Sequence, residues 1–176
     1  MDITFTSPDN FKFNTKQLTI AYGDKQKSKV DLRLLSQAMT GQAADGEVVF
    51  DGPGEYEVKS CMVTGVVTSA SNTAYQISVD DLKLGILGDL EGPLTDQQVE
   101  QLGAIDVLVI SLNKLKTDDI TKQIAAIEPS IVIPMNFDDA ALAALAKDMG
   151  VTVEPIEKLK VTKKELPDDT VLTVLQ

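Results

Sequence analysis

The hydrophobic period of the chain changes once, near residue 94, and that change restricts the fold more than any other feature. Before it, short apolar or alternating runs are separated by turn formers, the pattern of strands joined in a meander. Ile3–Phe5, Phe11–Phe13, Leu18–Tyr22 and the alternating segment Val30–Leu35 read as strands. Ser36–Gly46 reads as a loop, followed by a strand at Glu47–Phe50 and a tight turn at Asp51–Gly54. Tyr56–Val58, Met62–Val67, Ala74–Val79 and Leu82–Leu87 continue the strands, with Asp80-Asp81 suited to a two-residue hairpin loop.

After residue 94 the period lengthens and strands alternate with helices. Thr95 and Gln98 form a capping box, with Leu94 and Val99 at the flanking staple positions and Gly103 at the far end. Ile105–Ile110 is apolar apart from Asp106, as expected of a strand buried on both faces. Ile120, Ile124 and Ile127 recur at helical spacing, and Glu128-Pro129 should end that helix. Ile131–Ile133 reads as a second buried strand. Asp138 can cap a helix carrying Leu142, Leu145 and Met149 and closed by Gly150, while Val151–Val153 and Val171–Leu175 read as final strands. With no repeat, low-complexity tract or linker, residues 1–176 are expected to form a single α/β domain.

Charge and composition narrow the function. Against 16 basic residues stand 27 acidic ones, a formal charge of −11. Such a surface repels phosphate backbones and anionic lipid heads, so neither nucleic acid nor a membrane is an expected partner. Cys61 is the single cysteine, so no internal disulfide can form and a reducing compartment is expected. No apolar run nears the ~20 residues of a membrane-spanning helix, and the first residues lack the basic head of a signal peptide; both point to the cytoplasm. The chain contains 0 histidines. Imidazole is the usual general base near neutral pH and the commonest ligand of catalytic zinc, so Ser-His-Asp, Cys-His and imidazole-zinc chemistry are excluded.

Several strings taken in order carry a resemblance. They are Gly52–Val58, Asn72–Tyr75, Leu87-Gly88-Asp89-Leu90, Leu94–Val99, Ile105–Val109, and Glu128-Pro129 ahead of Ile131–Met135. In series they resemble the small prokaryotic metallo-β-lactamase-fold hydrolases, the branch similar to ascorbate-6-phosphate lactonase, from Ile3 to about Phe137. The resemblance implies an αβ/βα sandwich: two packed mixed β-sheets with outer helices. It also implies a metal site, and there this sequence departs from the family. Where the family has a His-x-His-x-Asp-His loop, the chain has Gln37, Met39, Gly41 and Gln42. A later family histidine corresponds to Ser69-Ala70-Ser71, centred on Ala70, and the last ligand to Asn136. An early Gly-His pair is replaced at about Ser7-Pro8. Of the implied ligands only the bridging aspartate survives, as Asp89. Amides and a thioether are neutral and weak toward zinc, so no zinc and no other cofactor is expected.

The leading expectation is therefore a catalytically inactive member of the fold, a pseudoenzyme kept as a binding, structural or assembly module. The alternative is a hydrolase with a relocated, oxygen-only metal site built from Asp89, Glu91 and Asp138, since magnesium and calcium prefer oxygen ligands. In a further branch of the superfamily the chemistry is RNA processing, which the negative charge opposes. Gly52-Pro53-Gly54 lacks the Gly-Lys-Ser/Thr of a phosphate loop and reads as a turn. Cys61, among apolar neighbours, reads as an inert buried thiol. The four lysines of Lys158–Lys164 fit either an anion patch or a lysine-guarded edge strand. An alanine- and leucine-rich segment, Asp138–Met149, and an edge-forming C-terminal strand suggest a homo-dimer or higher homo-oligomer; a small-molecule ligand is the other open partner.

Overall fold

A computed structural model describes residues 1–24, 29–39 and 43–176. Two mixed sheets face each other. The first is six-stranded, in the order β12-β1-β2-β3-β4-β5. Its strands are β1 (Asp2–Ser7), β2 (Asn10–Asn14), β3 (Thr19–Tyr22), β4 (Leu32–Leu34), β5 (Val48–Phe50) and β12 (Lys158–Lys160). The second is seven-stranded, in the order β13-β11-β10-β9-β8-β7-β6. It contains β6 (Gly54–Val58), β7 (Cys61–Ser69), β8 (Asn72–Val79), β9 (Leu82–Ile86), β10 (Val107–Ser111), β11 (Ile131–Met135) and β13 (Val171–Leu172). Hairpins keep β6 to β9 antiparallel, and β9, β10, β11 and β13 run parallel.

The central strands divide their side chains between two cores. Val107, Val109, Ile131 and Ile133 point to the space between the sheets, where they join Ile3, Phe11, Phe13, Ile20, Tyr75 and Ile77. Leu108, Ile110 and Val132 point the other way, against Leu102, Ile120, Ile124 and Leu145. Those four residues belong to α1 (Asp96–Leu102), α2 (Thr117–Ile127) and α3 (Asp139–Asp148), so all three helices cover the seven-stranded sheet. Burial on both faces explains why β10 and β11 read as continuous apolar runs rather than alternating ones.

Local chemistry sets the boundaries. Thr95 Oγ1 accepts from Gln98 N at 3.3 Å, and Gln98 Oε1 accepts from Thr95 N at 2.9 Å, completing the capping box of α1. Asp138 caps α3 by accepting from Ala141 N at 2.7 Å. The Asp80-Asp81 hairpin holds both residues at positive φ, 52° and 64°, as a type I′ turn requires. α2 stops at Glu128, left-handed at φ 52°, immediately before Pro129.

Three expectations change. Val151–Val153 is not a strand: it leaves α3 without a sheet partner, and only Ile156 forms a lone bridge, to Leu175. Val171–Leu175 shortens to β13, because after Leu172 the backbone hydrogen bonds pass from Val132 to Ile156. β10 begins at Val107, since Asp106 is occupied in ending the preceding loop, accepting from Lys83 N at 2.9 Å and Lys163 Nζ at 2.7 Å. The lysine-rich segment does form an edge strand, β12, paired with β1. Lys158 and Lys163 are ion-paired with Asp2 and Asp106. Among the described residues no helix is long and apolar enough to cross a membrane.

Candidate functional site

The carboxyl ends of parallel strands are where open α/β sheets place ligands, because chains leaving neighbouring strands diverge there and open a crevice. Here β9, β10 and β11 deliver Asp89, Ser111 and Asn136 to one point. Ser111 Oγ donates a short hydrogen bond to Asp89 Oδ1, and Asn136 Nδ2 donates to the same oxygen at 3.2 Å. Asn136 holds a left-handed φ of 47°, and its backbone N–H is secured by Pro8 O at 3.0 Å. Asparagine tolerates this region better than most residues, which suits a sharp exit from β11.

The opposite wall comes from the segment after β4. Ser36 O accepts from Thr73 N at 2.8 Å, and Met39 N donates to Asp51 Oδ2 at 2.8 Å, which brings Gln37 and Met39 over the strand ends. Between the walls lies a cavity of about 780 Å³, and Gln37, Met39, Asp89 and Asn136 all line it. Gly41 and Gln42 lie outside the described residues. Ala70 does not line the cavity: it is exposed at the tip of the β7–β8 turn, and Ser71 and Asn72 reach inward instead. Pro8 lines an adjoining cavity of about 400 Å³ with Asn136, Phe137 and Asp138.

The oxygen-only arrangement of Asp89, Glu91 and Asp138 is not assembled. Glu91 accepts from Ser71 Oγ at 3.0 Å and lies 3.7 Å from Lys114, while Asp138 is committed to the start of α3. Among the described residues no three His, Cys, Asp or Glu side chains are grouped as metal ligands would be. The two donors to Asp89 come from the ends of β10 and β11.

Three polar features of the cavity were not singled out as site residues in the sequence. Arg33 and Glu47 form an ion pair with side chains 11% and 3% exposed. The guanidinium reaches Glu47 Oε1 at 2.8 Å and also donates to Gly23 O at 3.1 Å. Tyr22 is held un-ionised to unusually high pH, first by burial and then by the carboxylates of Asp89 and Asp9, although a hydrogen bond with the Ser36 side chain acts the other way. Asn72 is 3% exposed, and its Nδ2 donates to Leu87 O at 2.8 Å and Thr68 Oγ1 at 2.6 Å. Asn72 stands inside one of the strings that carried the resemblance, which was the only signal for it. Cys61 is fully buried, and burial pushes its thiol up to about 11.

Two facing mixed sheets with helices on one outer face, and a cleft at the parallel strand ends, define a metallo-β-lactamase-type sandwich. The chain belongs to the β-lactamase superfamily domain family, whose model matches residues 9–136. Solved structures bear out the fold. A protein of the metallo-β-lactamase superfamily from Thermotoga maritima, described provisionally as a Zn-dependent hydrolase, superposes with a TM-score of 0.87 at 22% identity, covering 99% of this chain and 98% of its own. A protein from Parabacteroides distasonis described provisionally as a metal-dependent hydrolase gives 0.67 at 16% identity, over 99% and 93% of the two chains. The metallo-β-lactamase-fold protein YhfI of Bacillus subtilis gives 0.65 at 8% identity, over 99% and 96%. No curated protein sequence matches.

The fold family implies a metal ion in this cleft, and the described residues do not fit one. Zinc takes about four ligands drawn from thiolate, imidazole and carboxylate. Asp89 supplies a single carboxylate, with Oδ1 already accepting two hydrogen bonds, and its neighbours Gln37, Met39 and Asn136 bring neutral amide and thioether groups. The hydroxyl and the amide satisfy this oxygen of the carboxylate by charge-assisted hydrogen bonds.

Proposed function

We propose that this chain is a metal-independent member of its family, a pseudoenzyme whose cleft binds a ligand instead of hydrolysing one. The observation that carries the reading is the bonding of Asp89: Ser111 and Asn136 satisfy its inner oxygen by hydrogen bonds that a metal would have to displace. A hydrolase of this fold needs a water made far more acidic by a cation, with its pKa brought down to about 7. Among the described residues nothing beside Asp89 offers comparable activation: Ser111 is bonded to a carboxylate but has no imidazole behind it. The cleft keeps what binding needs, which is a walled cavity and polar groups held by a packed scaffold. A fold can outlast the chemistry once grafted on it.

Elemental analysis of protein purified without added metal tests this reading. Zinc, iron and manganese are each expected well below one ion per chain. One ion or more per chain would overturn it.

Assembly as a dimer is part of the same proposal. β13 ends the seven-stranded sheet with Val171 37% exposed, whereas the neighbouring open edge, β12, is guarded by lysines. Light scattering at low and high salt should give twice the 19.0 kDa monomer mass at high salt, where the charge of −11 is screened. A monomer mass at both salts and all concentrations would remove the assembly role and leave ligand binding.

A further inference from the structure

The strands β12, β5, β13 and β6 end the two sheets, and β6 is left open in a way the others are not. We infer that β6 is a docking edge for β12 of a second copy of this chain. The contact joins two unlike edges and is separate from the one at β13.

The first observation is backbone left unpaired. An edge strand presents a row of free N–H and C=O groups, and proteins restrain pairing there with short strands, lysines, proline or bulges. β5 has 3 residues, β13 has 2, and β12 has 3 of which two are lysines. β6 has 5, and its register with β7 runs from Gly54 against Gly65 to Val58 against Cys61 without a bulge. Among the described residues nothing beyond β7 hydrogen-bonds to its backbone. Met62, paired with Glu57 across β6 and β7, is 63% exposed, so the sheet face beside this edge is bare as well. An extended segment added along such an edge gains main-chain hydrogen bonds, and its alternate side chains decide which segment fits.

The second observation is charge complementarity within the chain. Tyr56 packs against the core between the sheets and stacks on Phe50 at 4.1 Å, which turns Glu55 and Glu57 to the outer face. Both glutamates are exposed, and neither is ion-paired among the described residues. β12 repeats this alternation with the opposite sign: Leu159 packs against the same core, and Lys158 and Lys160 are exposed. Lys158 meets Asp2 at 3.0 Å in a half-exposed pair of the kind worth little, and Lys160 has no ion pair among the described residues. Laid beside β6, β12 therefore sets lysines against glutamates on one face and brings Leu159 onto the side of Tyr56 on the other. Opposite charges facing across a strand pair favour it, and like charges oppose it. β6 against β6 and β12 against β12 are both disfavoured, so the contact runs head to tail instead of closing as a two-fold dimer. The charge of −11 opposes self-association in general. At about 0.15 M salt that repulsion is screened over about 8 Å, which leaves facing side chains coupled.

The test is sedimentation velocity of the full chain over a concentration series at about 0.15 M salt. Glu55→Lys with Glu57→Lys, and separately Lys158→Glu with Lys160→Glu, should each weaken association at least about tenfold, because each sets like charges face to face. The first double variant lowers the net negative charge, so weaker association there cannot come from general repulsion. Mixing the two double variants should restore association, since the lysines placed on β6 of one then face the glutamates placed on β12 of the other. Restored association also shows that both variants are folded; if one is unfolded by circular dichroism, Glu57→Lys and Lys160→Glu alone make the same comparison. A wild-type chain that is monomeric at every concentration overturns the inference, as does a mixture of folded variants that fails to associate. A dimer that neither double variant alters is the β13 assembly by itself and also overturns it. Monomeric double variants from an associating wild type sustain the inference and remove the β13 dimer instead.

Discussion

One wall of the cleft is built on strand ends and the other on a loop, and the two are held by different physics. Asp89, Ser111 and Asn136 leave β9, β10 and β11, and every residue of β10 and β11 is buried. Their positions follow from two packed cores, so the site geometry there costs little extra ordering. Gln37 and Met39 follow a strand of only three residues, and Gln37 is exposed. This wall relies on a few specific bonds: Thr73 N to Ser36 O, Met39 N to Asp51, and the Arg33–Glu47 pair beneath it. The strand-end wall should therefore tolerate changes in its side chains, whereas the loop wall should collapse when the buried Arg33–Glu47 pair is broken.

The largest expected effect tests that anchorage. Arg33→Met leaves the Glu47 carboxylate buried and unpaired and should cost about 3–5 kcal/mol in urea unfolding. A loss under about 1 kcal/mol would mean that the pair is solvated and the loop held otherwise. Next comes the strand-end wall. Ser111→Ala removes the short hydrogen bond to Asp89 and should cost about 1–3 kcal/mol while leaving the fold unchanged. A neutral outcome would indicate that Asn136 alone is enough for Asp89.

Alkaline pH probes the scaffold beneath both walls. Burial pushes the Cys61 thiol up to about 11, so in the fold it loses its proton less readily than a free thiol, which does so near 9.0. A proton held more tightly in the folded state means that this contribution is complete below pH 9 and is lost as pH rises toward about 11. Tyr22 and Tyr75 are raised by burial in the same direction. Stability should fall above pH 9, and Cys61→Ala, though less stable at neutral pH, should lose less of it over that window. An equal loss in the variant would show that the thiol does not contribute. The smallest effect belongs to Met39→Ala, a half-buried residue on the loop wall, which should change stability by less than about 1 kcal/mol. A larger loss would place Met39 in the packed core and erase the contrast between the walls.

The legibility of the sequence follows the same division. Hydrophobic period located β10 and β11 because residues buried on two faces leave a continuous apolar run, and Thr95 and Asp138 marked helix starts because capping is a local act. The family strings placed Asp89 and Asn136, each at the end of a strand. Contacts between distant residues were not legible. The Ser111–Asp89 and Asn136–Asp89 bonds join residues 22 and 47 apart. Val151–Val153 failed for a related reason: an apolar triplet has strand propensity, but it needs a neighbouring edge, and β13 had already occupied the one beside β11.

Thermal unfolding with and without excess EDTA tests metal independence most directly. A ligand that binds only the native state raises the midpoint by mass action, so removing it must lower the midpoint. The account predicts the same midpoint in both samples, and no increase when zinc is added to the chelator-free protein. A fall of about 2 °C or more in EDTA corresponds to roughly 1 kcal/mol of binding energy at this chain length, and it would contradict the account.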